Sequence, residues 1–268
     1  MRLVALARAP SRPEEAARVL AGAAGLTFAE ARMRLAAEAP ALLARLDANR
    51  AEEVVSTLRA AGLAALAVEP EVPSDRDRLV ALRFEISDAG AVFTPRAGDG
   101  VAVAWAEVLA VLRGVRSARQ ETERTEKSRR LSVAAAVATS GLVVTRGVER
   151  TVRSSEEAAE QVILVYPRAG RAVTVAEGSL DFSCLGPGLQ PSSTANMAEV
   201  ARRIRQAARG AFYDERLLRL GRRSLPFVAG GESRTQSRTA VTRRTDTSGT
   251  LDLLAEVMRR ALVEGLLP

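Results

Sequence analysis

The sequence predicts an α+β protein in four parts. A small β-α-α-β-α-β domain covers residues 1–72, and a series of about seven short strands followed by a helix covers 77–220, an order resembling an antiparallel β-barrel with a capping helix. A disordered Arg/Ser/Thr-rich tether follows over 221–250, then an amphipathic helix over 251–266. Three observations carry this division. Before position 72 apolar residues recur mostly at helical spacing, whereas from Leu79 they fall in short runs at strand period. Seven of the nine aromatic residues lie between 79 and 215, and only Phe28 lies in the first 72, so the two regions build different cores. The formal net charge of +7 is localised: residues 1–72 are neutral, 73–215 carry +2, 216–250 carry +6 and 251–268 carry −1.

In the first domain, residues 2–8 (RLVALAR) form an apolar run suited to a strand. Pro13-Glu14-Glu15 starts a helix, with proline in the first turn and acids at the positive end of the helix dipole. Gly25 ends it. Thr27 caps a second helix, and Glu30 three residues on completes a capping box. Pro40 stops that helix, Leu42–Leu46 reads as a strand, and Asp47 or Asn49 caps a third helix ended by Gly62. Leu63–Val68 is the last strand, and Glu69-Pro70-Glu71-Val72-Pro73-Ser74 is the expected linker.

The stretch Gly25-Leu26-Thr27-Phe28-Ala29-Glu30-Ala31-Arg32, then Ala39-Pro40, then Ala51 through Leu58-Arg59-Ala60-Ala61-Gly62 resembles the C-terminal domain of the bacterial ribosomal stalk protein. The Clp-protease adaptor domain shares that fold. The resemblance covers residues 2 to about 70. It implies a surface on the first two helices for binding another protein, and at matching positions it points to Arg18 and Arg32.

In the second domain Leu79–Ile86, Ala91–Thr94 and Val101–Trp105 read as strands joined by turns at Asp88-Ala89-Gly90 and Ala97-Gly98-Asp99-Gly100. Val108–Val115, Gly141–Val144, Gln161–Tyr166 and Ala172–Ala176 follow as strands, with the charged Gln120–Arg130 as a loop or an excursion. Asn196–Ala208 is an amphipathic helix with Met197, Val200, Ile204 and Ala207 on one face. About seven strands and a helix, with Val103-x-Trp105-x-x-Val108, resemble a bacterial pleckstrin-homology-like barrel. That resemblance implies lipid or peptide binding, or plain scaffolding.

Composition excludes much chemistry. There is no histidine, so no Ser-His-Asp or Cys-His nucleophile system and no imidazole base or metal ligand. Cys184 is the only cysteine and sits in the apolar Phe182-Ser183-Cys184-Leu185, which suits a small core residue. Glu85, Asp99, Glu107, Asp181, Asp214 and Glu215 have no supporting base or metal motif around them. The expectation is a protein that is not an enzyme and uses no cofactor or metal. All but one of the 39 basic residues are Arg, Lys127 being the exception. Scarce Lys, Ile and Asn is the usage of a GC-rich genome, which weakens Arg content as a sign of nucleic-acid binding.

The tether carries Arg222, Arg223, Arg234, Arg238, Arg243 and Arg244, and from Gly230 to Thr250 it has almost no large apolar residue to offset its ordering entropy. In the helix beyond it Leu251, Leu254, Met258 and Leu262 form one apolar stripe. Such a helix folds back on its own domains or docks in a partner's groove. These features predict an adaptor or scaffold that binds another protein. The alternatives are a ribosome- or RNA-associated protein using the basic tether, and peripheral membrane binding through the barrel, for which the acidic Asp88 turn makes the membrane an unlikely partner. A cytoplasmic location is expected. The chain shows no leader-like h-region near Met1, and the apolar run Leu131–Val144 is too short to span a bilayer, so it reads as a buried segment.

Overall fold

A computed structural model describes residues 1–131, 145–223, 225, 232–236 and 240–268. The first six elements appear in the order expected: β1 (Arg2–Leu6), α1 (Pro13–Ala24), α2 (Phe28–Leu35), β2 (Ala41–Leu46), α3 (Ala48–Ala60) and β3 (Ala65–Val68). Local signals explain their ends. Gly25 closes α1 at φ 67°, a left-handed conformation that favours glycine. Thr27 and Glu30 form the reciprocal capping box of α2, and the Asp47 carboxylate accepts from the Arg50 amide at 2.9 Å to cap α3.

β1 lies between β2 and β3, antiparallel to both. Its side chains alternate. Val4 and Leu6 pack against Ala17, Leu20, Ala31, Val54 and Leu58 of the helices, while Leu3 and Ala5 join the core on the opposite face. A strand buried on both faces needs an uninterrupted apolar run, which is why residues 3–7 contain no polar side chain.

The remaining strands form one sheet: β4 (Leu79–Ile86), β5 (Gly90–Pro95), β6 (Val101–Ala104), β7 (Val108–Leu131), β8 (Thr145–Pro167), β9 (Val173–Ala176), β10 (Phe212–Asp214), β11 (Glu232–Gln236) and β12 (Ala240–Asp246). The helices among and after them are α4 (Ser193–Ala207), α5 (Leu217–Leu220) and α6 (Ser248–Val263). The strand order is β11-β12-β7-β8-β9-β4-β5-β6, with the short β10 parallel to β7.

Three expectations are corrected. The sheet is not a closed barrel: among the described residues β6 pairs only with β5 and does not return to β7. The chain turns out of β6 through Trp105, whose indole Nε1 donates to the Ser87 carbonyl at 2.8 Å, so this corner is fixed to the β4–β5 turn. Second, of the two readings of Gln120–Arg130 the excursion holds and the loop does not: it is part of β7, a 24-residue strand paired with β8 from Val108 to Leu131. Third, the tether is not disordered throughout. Residues 232–236 and 240–246 are strands, and β12 pairs with β7 from Ala118 to Arg124. Thr and Val accept extended backbone readily, and the ladder with β7 satisfies the backbone hydrogen-bonding groups of β12 without calling on an apolar sequence pattern. Arg238, the Gly141–Val144 strand and most of the apolar run 131–144 lie outside the described residues.

The two faces of this sheet have different covers. Val111, Ile163, Val165, Val173 and Val175 meet Met197, Val200 and Ile204 of α4, with Phe84, Phe93 and Trp105 beside them. Ala110, Leu112, Val162, Leu164 and Tyr166 face the other way and meet α6. The far side of α6 meets Leu3, Leu42, Leu66 and Val68 of the three-stranded sheet. The layers are therefore helices, sheet, α6, sheet and α4. Gly114 lets α6 approach β7: a Cβ there would stand 3.0 Å from the Cβ of Leu217 and press on the Leu251 side chain.

Truncating Leu254, 1% exposed within this sandwich, removes contacts with two sheets at once. Leu254→Ala is expected to lower unfolding free energy by about 2–5 kcal/mol in urea titration. Val263→Ala, on the same helix but 65% exposed, is expected to change it by less than about 0.5 kcal/mol.

Candidate interaction surfaces

The sequence-expected residues fall in three places. Leu251, Leu254 and Met258 are buried and Leu262 is partly buried, so the apolar stripe is spent inside the protein. The helix is also buried beyond that stripe, at Leu253, Ala255 and Val257. Of the two dispositions open to such a helix, the structure shows the intramolecular one.

Arg18 and Arg32 lie on neighbouring helices. The Arg18 guanidinium sits 6.0 Å above the Phe28 ring, and Arg32 Nε lies 3.7 Å from Glu14 of α1. Met33 of α2 is 70% exposed beside them. Both arginines are solvated, and such surface pairs are worth little. Arg222 and Arg223 are exposed just after α5. Arg223 stands at the rim of a cavity of about 450 Å³ between α2–β2 and α5–α6, floored by Leu42, Leu220 and Leu254. Arg219 pairs with Glu38 across its edge, and Arg216 donates to the Ala39 carbonyl at 2.9 Å.

Arg234, Arg243 and Arg244 lie in β11 and β12 rather than on a free tether. Arg234 is opposite Arg243, and Arg243 is in turn opposite Glu121 of β7. Arg244 is opposite Ser233 and Gln120, so strand pairing holds these bases at a fixed register with Glu121 as the one acid facing them among the described residues.

A buried polar cluster escaped the sequence reading. Arg78, 2% exposed at the entry to β4, pairs with Asp252 of α6 and donates to the Pro73 carbonyl at 2.6 Å. Its guanidinium lies 5.9 Å from the Tyr166 ring centre. The Tyr166 hydroxyl and Arg78 Nε are buried without a hydrogen-bond partner. Burial pushes the Tyr166 phenol up, and it pushes the Asp252 carboxyl above the ordinary aspartate range against the pull of Arg78. For Arg78 burial opposes the charge, but the surrounding Tyr166, Asp252 and Asp75 outweigh it and hold the guanidinium firmly protonated. Nearby, Arg116 bridges Asp75 and Glu160, with Thr174 donating to Asp75 at 3.0 Å. The available signal was Asp252 and Glu256, two acids one helical turn apart in an otherwise apolar stretch; Glu256 binds Arg259 at 2.7 Å.

Comparison with protein-family models, curated protein sequences and solved structures gives no match. Among the described residues no group of acids and cysteine is arranged to hold a metal ion, and no helix is long and apolar enough to cross a membrane.

The ion pair between Arg78 and Asp252 ties the start of the large sheet to α6. Asp252→Asn is expected to cost about 3–5 kcal/mol by leaving a buried guanidinium uncompensated, whereas Arg78→Met with Asp252→Leu should recover most of that loss. Urea unfolding of Asp252→Asn, of Arg78→Met, of Asp252→Leu and of the Arg78→Met/Asp252→Leu double variant checks it; a double-variant loss equal to the sum of the Arg78→Met and Asp252→Leu losses would show that the pair does not couple.

Proposed function

We propose that this protein is a non-catalytic scaffold that binds another protein through a rigid β-arm. The observation that carries the proposal is the length of the β7–β8 hairpin. Twenty-four residues of β7 at about 3.4 Å each reach roughly 80 Å. A compact chain of 268 residues has a radius of gyration near 18 Å and a diameter near 50 Å. The hairpin is longer than the body it grows from. Its inner portion, Val108–Val115 with Val162–Tyr166, builds the core described above. Its outer portion is written in Arg, Glu, Thr and Ser on both faces, as no core strand is. β11 and β12 thicken this outer portion rather than the body.

A regular polar arm of this kind offers backbone edges and fixed charges, which suits recognition of another chain. The β-α-α-β-α-β unit, with its likeness to the stalk-protein domain, and the sheet-plus-helix region, with its likeness to a pleckstrin-homology-like fold, serve in this reading as the platform. The composition agrees, since histidine is absent.

Affinity capture with the full chain tests the reading. The comparison is a variant in which Asn-Gly replaces residues 126–150 and joins the register partners Thr125 and Thr151. A protein captured by the full chain, retained after RNase and lost with the shortened hairpin at unchanged thermal stability is the expected result. Capture that ignores the shortening, or that RNase abolishes, would overturn it.

A further inference from the structure

We infer that the arm pairs with a second copy of this chain, edge to edge along β8, in an antiparallel register centred on Thr151. The inference rests on the arm being the binding element and names its partner.

The edge comes first. One side of β8 is paired with β7 along its whole length, while β9 covers the other side only at Val162–Val165. Among the described residues no strand lies along the outer side of 145–159. Natural sheets blunt such edges with proline, bulges, very short strands or charged side chains. β8 has only the last of these here, and charges of both signs oppose pairing with a second copy only in registers that set like charges together. Its ladder with β7 runs from Ala110 opposite Tyr166 to Leu131 opposite Thr145 without a register shift, and residues 145–160 contain no proline. Among the described residues the other free edges are shorter: seven residues of β7 beyond β12 (Thr125–Leu131), six in β2, five in β11 and four each in β3 and β6.

The sequence of that edge is palindromic in charge. Residues 145–157 read TRGVERTVRSSEE. Two copies related by a two-fold axis through Thr151 place Glu149 opposite Arg153 and Arg146 opposite Glu156, each twice. Arg150 meets Val152, Val148 meets Ser154, Gly147 meets Ser155 and Thr145 meets Glu157. Four opposite-charge pairs form, and no like charges face each other. Because side chains alternate along a strand, the Glu149–Arg153 pairs lie on one face and the Arg146–Glu156 pairs on the other. A two-fold axis normal to the sheet keeps each residue on its face, so the symmetric registers advance in whole-residue steps of the centre. The neighbouring centres do worse. Centring on Arg150 sets that arginine against itself and pairs no acid with a base, and centring on Val152 also pairs none. Centring on Ser155 also pairs Arg153 with Glu157, but its Arg150–Glu160 pairs fall where the edge is already taken, since Glu160 accepts from the Gly178 amide and the Gln161 carbonyl from the Glu177 amide. Within the open stretch 145–159 the Thr151 centre forms the most opposite-charge pairs.

The product is a closed, isologous dimer. The order β11-β12-β7-β8 continues into β8-β7-β12-β11 of the second copy, joining two polar arms into one eight-stranded sheet with both bodies at its ends.

Sedimentation velocity on the full-length protein, with charge variants, tests the inference. The wild type is expected to approach twice the 28.5 kDa chain mass as concentration rises. Glu149→Arg and Arg153→Glu each create two like-charge contacts across the axis and should weaken association about tenfold. The double variant restores opposite charges between copies. Within one chain it is mismatched, because Glu149 is opposite Lys127 and Arg153 is opposite Glu123. Recovery of the dimer in the double variant therefore reports pairing between copies. The same trio at Arg146 and Glu156 gives a second reading if either single variant at 149 or 153 melts early. A wild type that stays monomeric at every concentration, or a double variant as weak as the sum of its singles, overturns the register. Arm-dependent capture of a different protein by a monomeric wild type would overturn the dimer and leave the scaffold reading standing.

Discussion

The packing of α6 between two sheets is the contact on which the other layers depend. Each sheet presents an apolar face to it: Leu3, Leu42, Leu66 and Val68 on one side, Leu112, Leu164 and Tyr166 on the other, where Leu217 and Leu220 of α5 share the cover. Burying a side chain of this size is worth about 1.5–3 kcal/mol, and α6 buries Leu251, Leu253, Leu254, Val257 and Met258 at once. Two further ties hold the helix in register. Arg78 reaches Asp252, and at the first turn the Thr247 hydroxyl accepts from the Ser117 amide at 2.9 Å while the Thr247 amide donates to the Ser117 carbonyl. The second tie sits where β12 leaves β7, so the outer arm and the buried helix share one anchor.

The parts legible in the sequence are those whose signals are local. Gly25, Thr27 with Glu30, and Asp47 each mark a helix end through hydrogen bonds within a few residues, and the first six elements follow from them. Period-2 and period-3.6 patterns also located β4 to β6 and α4. The outer arm was not legible for a physical reason. Hydrophobic periodicity reports burial, and residues 118–131 and 232–246 have few apolar side chains to bury. Their strand state comes from long-range backbone pairing, with β12 lying more than 100 residues from its partner β7. Closure of the sheet was misjudged on similar grounds, since seven strands in series do not reveal which edge meets which.

Among the interaction residues the types were legible in the sequence and the roles were not. The stripe Leu251, Leu254, Met258 and Leu262 is apolar because it is core, and Leu253 and Val257 on the other side were the sign that two surfaces enclose the helix. Arg243 and Arg244 counted as loose positive charge, but they hold fixed places in a sheet, Arg243 between Arg234 and Glu121 and Arg244 between Ser233 and Gln120. Charge pattern along the strand therefore carries more meaning than net charge. The symmetry about Thr151 is visible only once β8 is known to be extended and open on one side.

The place of α6 in the chain has a consequence for biosynthesis. β3 ends at Val68 and α6 begins at Ser248. At roughly 5–20 residues per second, a ribosome takes about 10–40 seconds to cross that interval. For that time the outer face of the three-stranded sheet has emerged without its lid. The nascent chain thus exposes Leu3, Leu42, Leu66 and Val68 as a sticky patch long after its own unit is complete, and substitutions that slow translation or weaken the last helix should show first as aggregation of newly made protein rather than as loss of the finished fold.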